Sequence, residues 1–146
     1  MIAVARADIE ALNADFAHCL DSGDFVGLTR IFTDDASYVT NGITLEGSAR
    51  IVEYFTSRQE ARTTRHMWSA LRITECGDEL LHASSTWMSF AANELAPVAT
   101  VNIYMVADFD DVLVRVADGE WRIRSRTISS VFRNAQLAPE RTSERR

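Results

Sequence analysis

The sequence predicts an α+β fold: a cone-shaped α+β barrel with three N-terminal helices packed on a strongly curved, mostly antiparallel sheet. Three observations carry the prediction. Ile9, Leu12, Phe16 and Leu20 recur at three- and four-residue steps, the stripe of an amphipathic helix. From Arg65 onward the chain changes to long β-branched and aromatic runs. No helical pattern separates those runs, so they suit an antiparallel meander and not a parallel α/β alternation. A sheet curved enough to cover the helices leaves a cone with an interior.

The elements follow in order. The first helix runs from about Ala5 to Leu20, and Asp21-Ser-Gly-Asp24 breaks it. Asp24 is a good N-cap for a second helix, Phe25 to Phe32. Ala36 to Thr40 reads as a short strand, turned by Asn41-Gly42 into Ile43-Thr-Leu45. Ser48 stands near the cap of a third helix with Ile51, Val52, Tyr54 and Phe55 as its apolar positions. Five strands are then expected: Met67–Thr74, Leu80–Ala91, Val98–Ala107, Asp111–Val116 and Trp121–Phe132. Gly77-Asp78 and Asp118-Gly119 mark tight turns between two pairs of them. Residues 1–146 form a single domain, with a charged tail from 133 to 146 that is free to fray.

Strict alternation along the first long strand puts His66, Trp68 and Ala70 on one face and Met67, Ser69, Leu71 and Ile73 on the other. Both faces are mostly apolar. One must meet the helices, and the other is expected to be covered by a second subunit in a homodimer or higher oligomer. In the last strand the same rule sets Arg122, Arg124 and Arg126 against Trp121, Ile123 and Ser125. The arginines then form a solvated face or subunit rim, with ligand binding by Arg126 as the rival reading.

Composition narrows the function classes. The 146 residues carry 15 basic and 21 acidic side chains, a net charge of −6 that repels phosphate backbones and argues against a nucleic-acid partner. Every basic residue is Arg, so Lys Schiff-base chemistry has no residue to use. No run reaches the ~20 apolar residues of a membrane span. The first residues meet acidic Asp8 and Glu10 at once, and Cys19 and Cys76 lack metal or redox spacing; a cytoplasmic location is expected. The three histidines have no metal-ligand spacing either, so no metal and no cofactor is expected. Asp108, Asp110 and Asp111 read as a solvated turn. His18, on the polar side of its helix, reads as a surface residue, and His82 as exposed or packed at a strand edge.

Six stretches now combine: Phe16-Ala-His-Cys-Leu-Asp21-Ser-Gly-Asp24, Ile31-Phe-Thr-Asp-Asp-Ala-Ser-Tyr38, Leu45-Glu-Gly47, Thr64-Arg-His66-Met, Asp110-Asp-Val-Leu-Val-Arg115 and Gly119-Glu-Trp-Arg-Ile-Arg-Ser-Arg126. In this order and spacing they resemble the SnoaL-like branch of the nuclear-transport-factor-2-like superfamily, from residue 5 to about 132. The resemblance has two functional sides. Lyases of the scytalone dehydratase type use an Asp–His pair inside the cone, and Asp21 and His66 occupy the matching positions. Their strand tyrosine matches Tyr38, whereas a second tyrosine is replaced here by Phe16. The β subunits of ring-hydroxylating dioxygenases share the Asp, the Arg-His and the Asp-Val-Leu segment, and there the fold serves assembly. The N-terminal extension usual in those subunits is missing here.

Read chemically, a carboxylate-bonded imidazole is held in one tautomer and can take a proton from carbon beside a carbonyl or leaving group. Asp21 and His66 then act as orienting partner and general base, and Tyr38 as hydroxyl donor. The structural alternative is an Asp that turns the helix end, a satisfied core histidine and a core tyrosine. Phe16, Trp68, Trp87, Tyr104 and Arg126 are the candidate substrate-binding residues; Met88, Phe90 and Met105 share the apolar runs. The expected function is a cofactor-independent lyase or isomerase, of dehydratase or cyclase type, for a small hydrophobic cyclic or oxygenated molecule. The alternative is a non-catalytic assembly subunit or a small-molecule-binding homodimer.

Overall fold

The computed structural model describes residues 2–141. Helix α1 spans Ile2–Ser22 and is followed by a 3-10 helix, Phe25–Arg30. Strands β1 (Phe32–Thr40) and β2 (Ile43–Glu46) form a hairpin, and helix α2 covers Ser48–Thr56. Four long strands complete the sheet: β3 (Thr63–Cys76), β4 (Leu80–Ala92), β5 (Ile103–Arg115) and β6 (Trp121–Arg133). A short 3-10 turn, Ala135–Leu137, follows. The six strands lie in the order β2-β1-β6-β5-β4-β3. Every pairing is antiparallel except β1 with β6, so the sheet is mixed and mostly antiparallel. Of the three expected N-terminal helices, two are α-helices and the middle one is the 3-10 segment.

Helix α1 buries Ala5, Ile9, Asn13, Phe16 and Leu20, three- and four-residue steps on its sheet-facing side. Gly23, at φ +80°, ends it, and the Asp24 carboxylate accepts from the Gly27 amide to start the next turn. These two residues fix Asp21 in the last turn of α1. The central core joins Phe16, Phe32, Leu28, Ile51, Leu81, Leu113 and Ile123, each almost wholly buried.

Three expectations need correction, and two have one cause. On β3 the register against β4 slips between Ser69 and Arg72, and Ala70 there adopts φ +54°. This β-bulge adds one residue, so inward His66 and Trp68 are followed by inward Leu71 and Ile73, while Ala70 is exposed. On β6 the pairing with β5 jumps from Leu113↔Ile123 to Val112↔Ser125, leaving Arg124 as the extra residue. Trp121 and Ile123 point inward before it and Arg126 points inward after it, so Arg126 is wholly buried instead of solvated. Third, the two strands expected at Val98–Ala107 and Asp111–Val116 are replaced by one strand, β5, which runs from Ile103 to Arg115 and leaves residues 98–102 outside the sheet. Its pleat exposes Asp108 and Asp110 and buries Asp111, so no acidic turn forms.

The tail docks as far as it is described. The Arg62 guanidinium donates to the Leu137 carbonyl at 2.8 Å, Asn93 to Ala138 at 3.0 Å, and the Gln59 amide to Glu140 at 2.9 Å. The rest of the tail expected to fray, residues 142–146, lies outside the described residues.

Candidate functional site

The end of α1 and the first residues of β3 bring Asp21 and His66 together, 45 positions apart in sequence. His66 Nδ1 lies 2.7 Å from Asp21 Oδ1. Asp21 Oδ2 accepts the His66 amide at 3.0 Å, and Oδ1 also accepts the Thr64 hydroxyl at 2.8 Å. Burial works to raise the Asp21 carboxyl, but the hydrogen bonds and charge of His66, with the Thr64 hydroxyl, outweigh it and hold the group below its ordinary value. An ionised Asp21 takes the Nδ1 proton as its hydrogen bond and so selects the tautomer with Nε2 unprotonated. Nε2 has no protein partner among the described residues.

His66 opens onto a cavity of about 100 Å³. Its walls come from α1 (Phe16, Leu20), β1 (Tyr38, Thr40), α2 (Tyr54, Phe55) and the inner faces of β3 to β6. Trp87 is the central wall residue: it stacks on Phe109 with ring centres 4.6 Å apart, meets Phe16 edge-on at 5.6 Å and His66 at 6.5 Å. Its indole N–H donates to the Ser85 hydroxyl at 2.8 Å, so the polar end is satisfied away from the cavity. Tyr38 also lines the cavity, and burial pushes its phenol well above the usual value. It therefore keeps its proton at neutral pH and can act as a hydroxyl donor.

The structure sorts the predicted residues. His66, Tyr38, Phe16, Trp87 and Tyr104 all line the cavity, with Asp21 bonded behind His66. Trp68 does not; it lies outside the lining and backs Trp87 at 6.2 Å. Arg126 does not either. Its Nε and Nη2 bond both Asp111 oxygens at 2.8 and 2.9 Å, and Nη2 also donates to Asn13 at 2.7 Å. The guanidinium carbon sits 4.5 Å from the Phe16 ring centre and 4.9 Å from that of Phe109, beneath the cavity wall. Of the other histidines, His18 is exposed, and half-buried His82 lies 3.8 Å from Glu75.

Sequence reasoning missed the basic side of the cavity. Arg58, Arg62 and Arg141 line it beside Tyr54. They come from the segment after α2 and from the tail, where no periodic pattern signals burial. Among the described residues no group of three His, Cys, Asp or Glu side chains is placed to hold a metal ion, and no helix is long and apolar enough to cross a membrane.

With this geometry in place, comparison with known proteins identifies the fold family. Several solved structures share the fold. ActVI-ORFA from Streptomyces coelicolor superposes with a TM-score of 0.76 at 23% identity, over 87% of this chain and 97% of that one. A protein of Novosphingobium aromaticivorans provisionally assigned as a scytalone dehydratase gives 0.74 at 18% identity, covering 90% and 87% of the two chains. The β subunit of a provisionally assigned aromatic-ring-hydroxylating dioxygenase from the same organism gives 0.76 at 21% identity, covering 93% and 95%. Among curated proteins none matches by sequence. The family model of the SnoaL-like domain matches residues 2–127, nearly the whole described chain, and the protein belongs to that family, within the nuclear-transport-factor-2-like superfamily.

Proposed function

We propose that the protein is a cofactor-independent lyase or isomerase for a small, largely apolar cyclic molecule, with His66 as general base. The observation that supports this reading best is the 2.7 Å contact of Asp21 with His66 Nδ1 at the wall of an apolar cavity. Nε2 takes a proton from carbon next to a carbonyl. The C–H electrons become the new double bond, the bond to a β-hydroxyl breaks with its electrons leaving on oxygen, and that oxygen takes the proton from the His66 imidazolium and departs as water. Tyr38 is placed on the same cavity to donate a hydrogen bond to that oxygen or to the developing enolate. Asp21 supports the imidazolium formed on the way. Without a β-leaving group, return of the proton at another carbon gives isomerisation.

The test needs no knowledge of the natural substrate. Exchange of the α-protons of a one-ring cyclic ketone with deuterated water, followed by NMR, reads the base directly. Wild-type protein should accelerate exchange and His66→Ala should not; equal rates in the two would refute the base.

A second reading, as an assembly subunit or homodimer, draws on the outer face. Cross-strand pairing lines up Met67, Met88, Val106 and Phe132 across four strands, and Met67 and Phe132 are 58% and 70% exposed. Such a row suits burial against another subunit. Mass in solution checks it: a monomer at micromolar concentration with no co-purifying partner would count against this reading.

A further inference from the structure

Three arginines converge on one side of the cavity; the Asp21 carboxylate, already bonded to His66 and Thr64, acts on Arg58, while Arg62 and Arg141 have no ion-pair partner among the described residues. The charged pairs among the described residues take up Arg6, Arg30, Arg50, Arg122 and Arg126, and leave Arg58, Arg62 and Arg141 out. Each of the three is instead held by neutral oxygens through a single nitrogen. Arg58 Nη2 donates to the Leu20 carbonyl at 3.0 Å. Arg62 Nη1 donates to Asn93 Oδ1 at 2.7 Å and to the Leu137 carbonyl. Arg141 Nη1 donates to the Tyr54 carbonyl and to the Ser57 hydroxyl at 2.8 Å.

Their flat faces are supported by rings. Arg58 lies over Phe25 at 4.7 Å, Arg62 over Tyr104 at 5.4 Å and Arg141 over Tyr54 at 3.7 Å. Backbone and ring contacts therefore fix the guanidiniums while leaving other N–H donors of each unused by the described residues. Arg62 is only 9% exposed, yet it lines the open cavity. Burial lowers its pKa to about 10, and the neighbouring Arg58 and Arg141 press the same way. A guanidinium at that value is still charged at neutral pH. Like charges gathered at a half-buried site cost stability, and a bound anion relieves that cost.

We infer that this side of the cavity is an anion subsite: Arg58, Arg62 and Arg141 hold a carboxylate or phosphate group of a ligand whose apolar body occupies the space beside Trp87 and His66. Guanidinium forks match either oxyanion in a bidentate way. The cavity, about 100 Å³, is of the order of the about 150 Å³ void that accepts benzene, so the ligand body is no larger than one ring and its charged arm reaches the arginines. The inference names the substrate class for the lyase reading and rests on it for catalysis, but binding alone tests it.

Isothermal titration of the full-length protein with phenylacetate, phenyl phosphate and neutral phenylacetamide at neutral pH and low salt provides that test. At least one anion should bind about tenfold or more tightly than the amide, and the better anion decides between carboxylate and phosphate. Arg141→Gln and Arg62→Gln, each checked for an unchanged circular dichroism spectrum, should reduce the preference to about twofold or less. Because Arg62 also ties Asn93 to the tail, Arg141→Gln serves alone if the other variant does not fold. His66→Ala should keep the preference, so loss of catalysis and loss of anion selection are separate outcomes. Equal affinity for anion and amide, a preference that survives Arg141→Gln, or no binding of any probe at millimolar concentration would overturn the inference.

Discussion

Two carboxylate-centred pairs lie against Trp87, and the protein uses them differently. Asp111 and Arg126 are direct cross-strand partners on β5 and β6, with side chains 2% and 0% exposed. Both oxygens of Asp111 are taken by one guanidinium, and Asn13 accepts another of its N–H groups. Asp21 and His66 sit at the ends of elements, with side chains 13% and 17% exposed, and the outward nitrogen of the imidazole has no partner among the described residues. The first pair spends both carboxylate oxygens on one guanidinium, and what it leaves over, the Arg126 Nη1 donor, is sealed in the core. The second has one reactive position left over, and it opens onto a cavity. Charge buried in a core is thus not by itself a sign of chemistry; an unspent lone pair at a cavity wall is the better sign.

The comparison can be broken from either side. The largest effect is expected from Asp111→Ala, which leaves Arg126 charged and uncompensated in the core. Equilibrium urea denaturation should show a loss of about 3–5 kcal/mol. Replacing both partners, Asp111→Leu with Arg126→Met, should recover much of that loss, because it is the orphaned charge that destabilises. His66→Ala should do the reverse: a melting temperature nearly unchanged, with the proton-exchange rate reduced by roughly 10²–10⁴-fold. Tyr38→Phe removes one donor from the cavity and should lower the elimination rate on a cyclic β-hydroxyketone by about tenfold, the worth of one hydrogen bond. Alpha-proton exchange should fall less, since it needs no leaving group.

The smallest effect concerns acid stability. The folded protein holds the Asp21 carboxyl below its ordinary value, so near pH 4 it binds fewer protons than the unfolded chain. Stability from this group is complete above the unfolded value and is lost as pH falls through the folded one. Urea melts between about pH 3 and 5 should therefore show a shallower slope in Asp21→Asn than in wild type. An identical slope would mean that the hydrogen bonds to Asp21 do not favour its charged form.

Much of this was legible in the chain. The stripe Ile9, Phe16 and Leu20, the Gly23-Asp24 break and the Asn41-Gly42 turn each rest on local rules that tertiary packing did not override. Asp21 and His66 were readable through the resemblance to lyases that pair an Asp at the helix end with a His at the strand start, and these two element ends do meet. Arg126 was misread for a definable reason: alternation assigns faces correctly only until a residue is inserted, and Arg124 is such an insertion. The basic side of the cavity was invisible for another. Arg58, Arg62 and Arg141 lie in irregular backbone, where side-chain direction follows from long-range contacts and not from a period.

The extra residue at Ala70 has a consequence for how this scaffold varies. It divides β3 into two lengths whose inward positions are out of phase: one presents His66 and Trp68, the other Leu71 and Ile73, with the Leu71 carbonyl accepting from Arg6 of α1 at 3.0 Å. The bulge acts as a joint between the half of the strand that carries His66 and the half that seats the helix. Without the bulge the same residues would alternate in one uninterrupted ribbon, and to keep His66 facing the cavity the chain would have to turn Leu71 out into water.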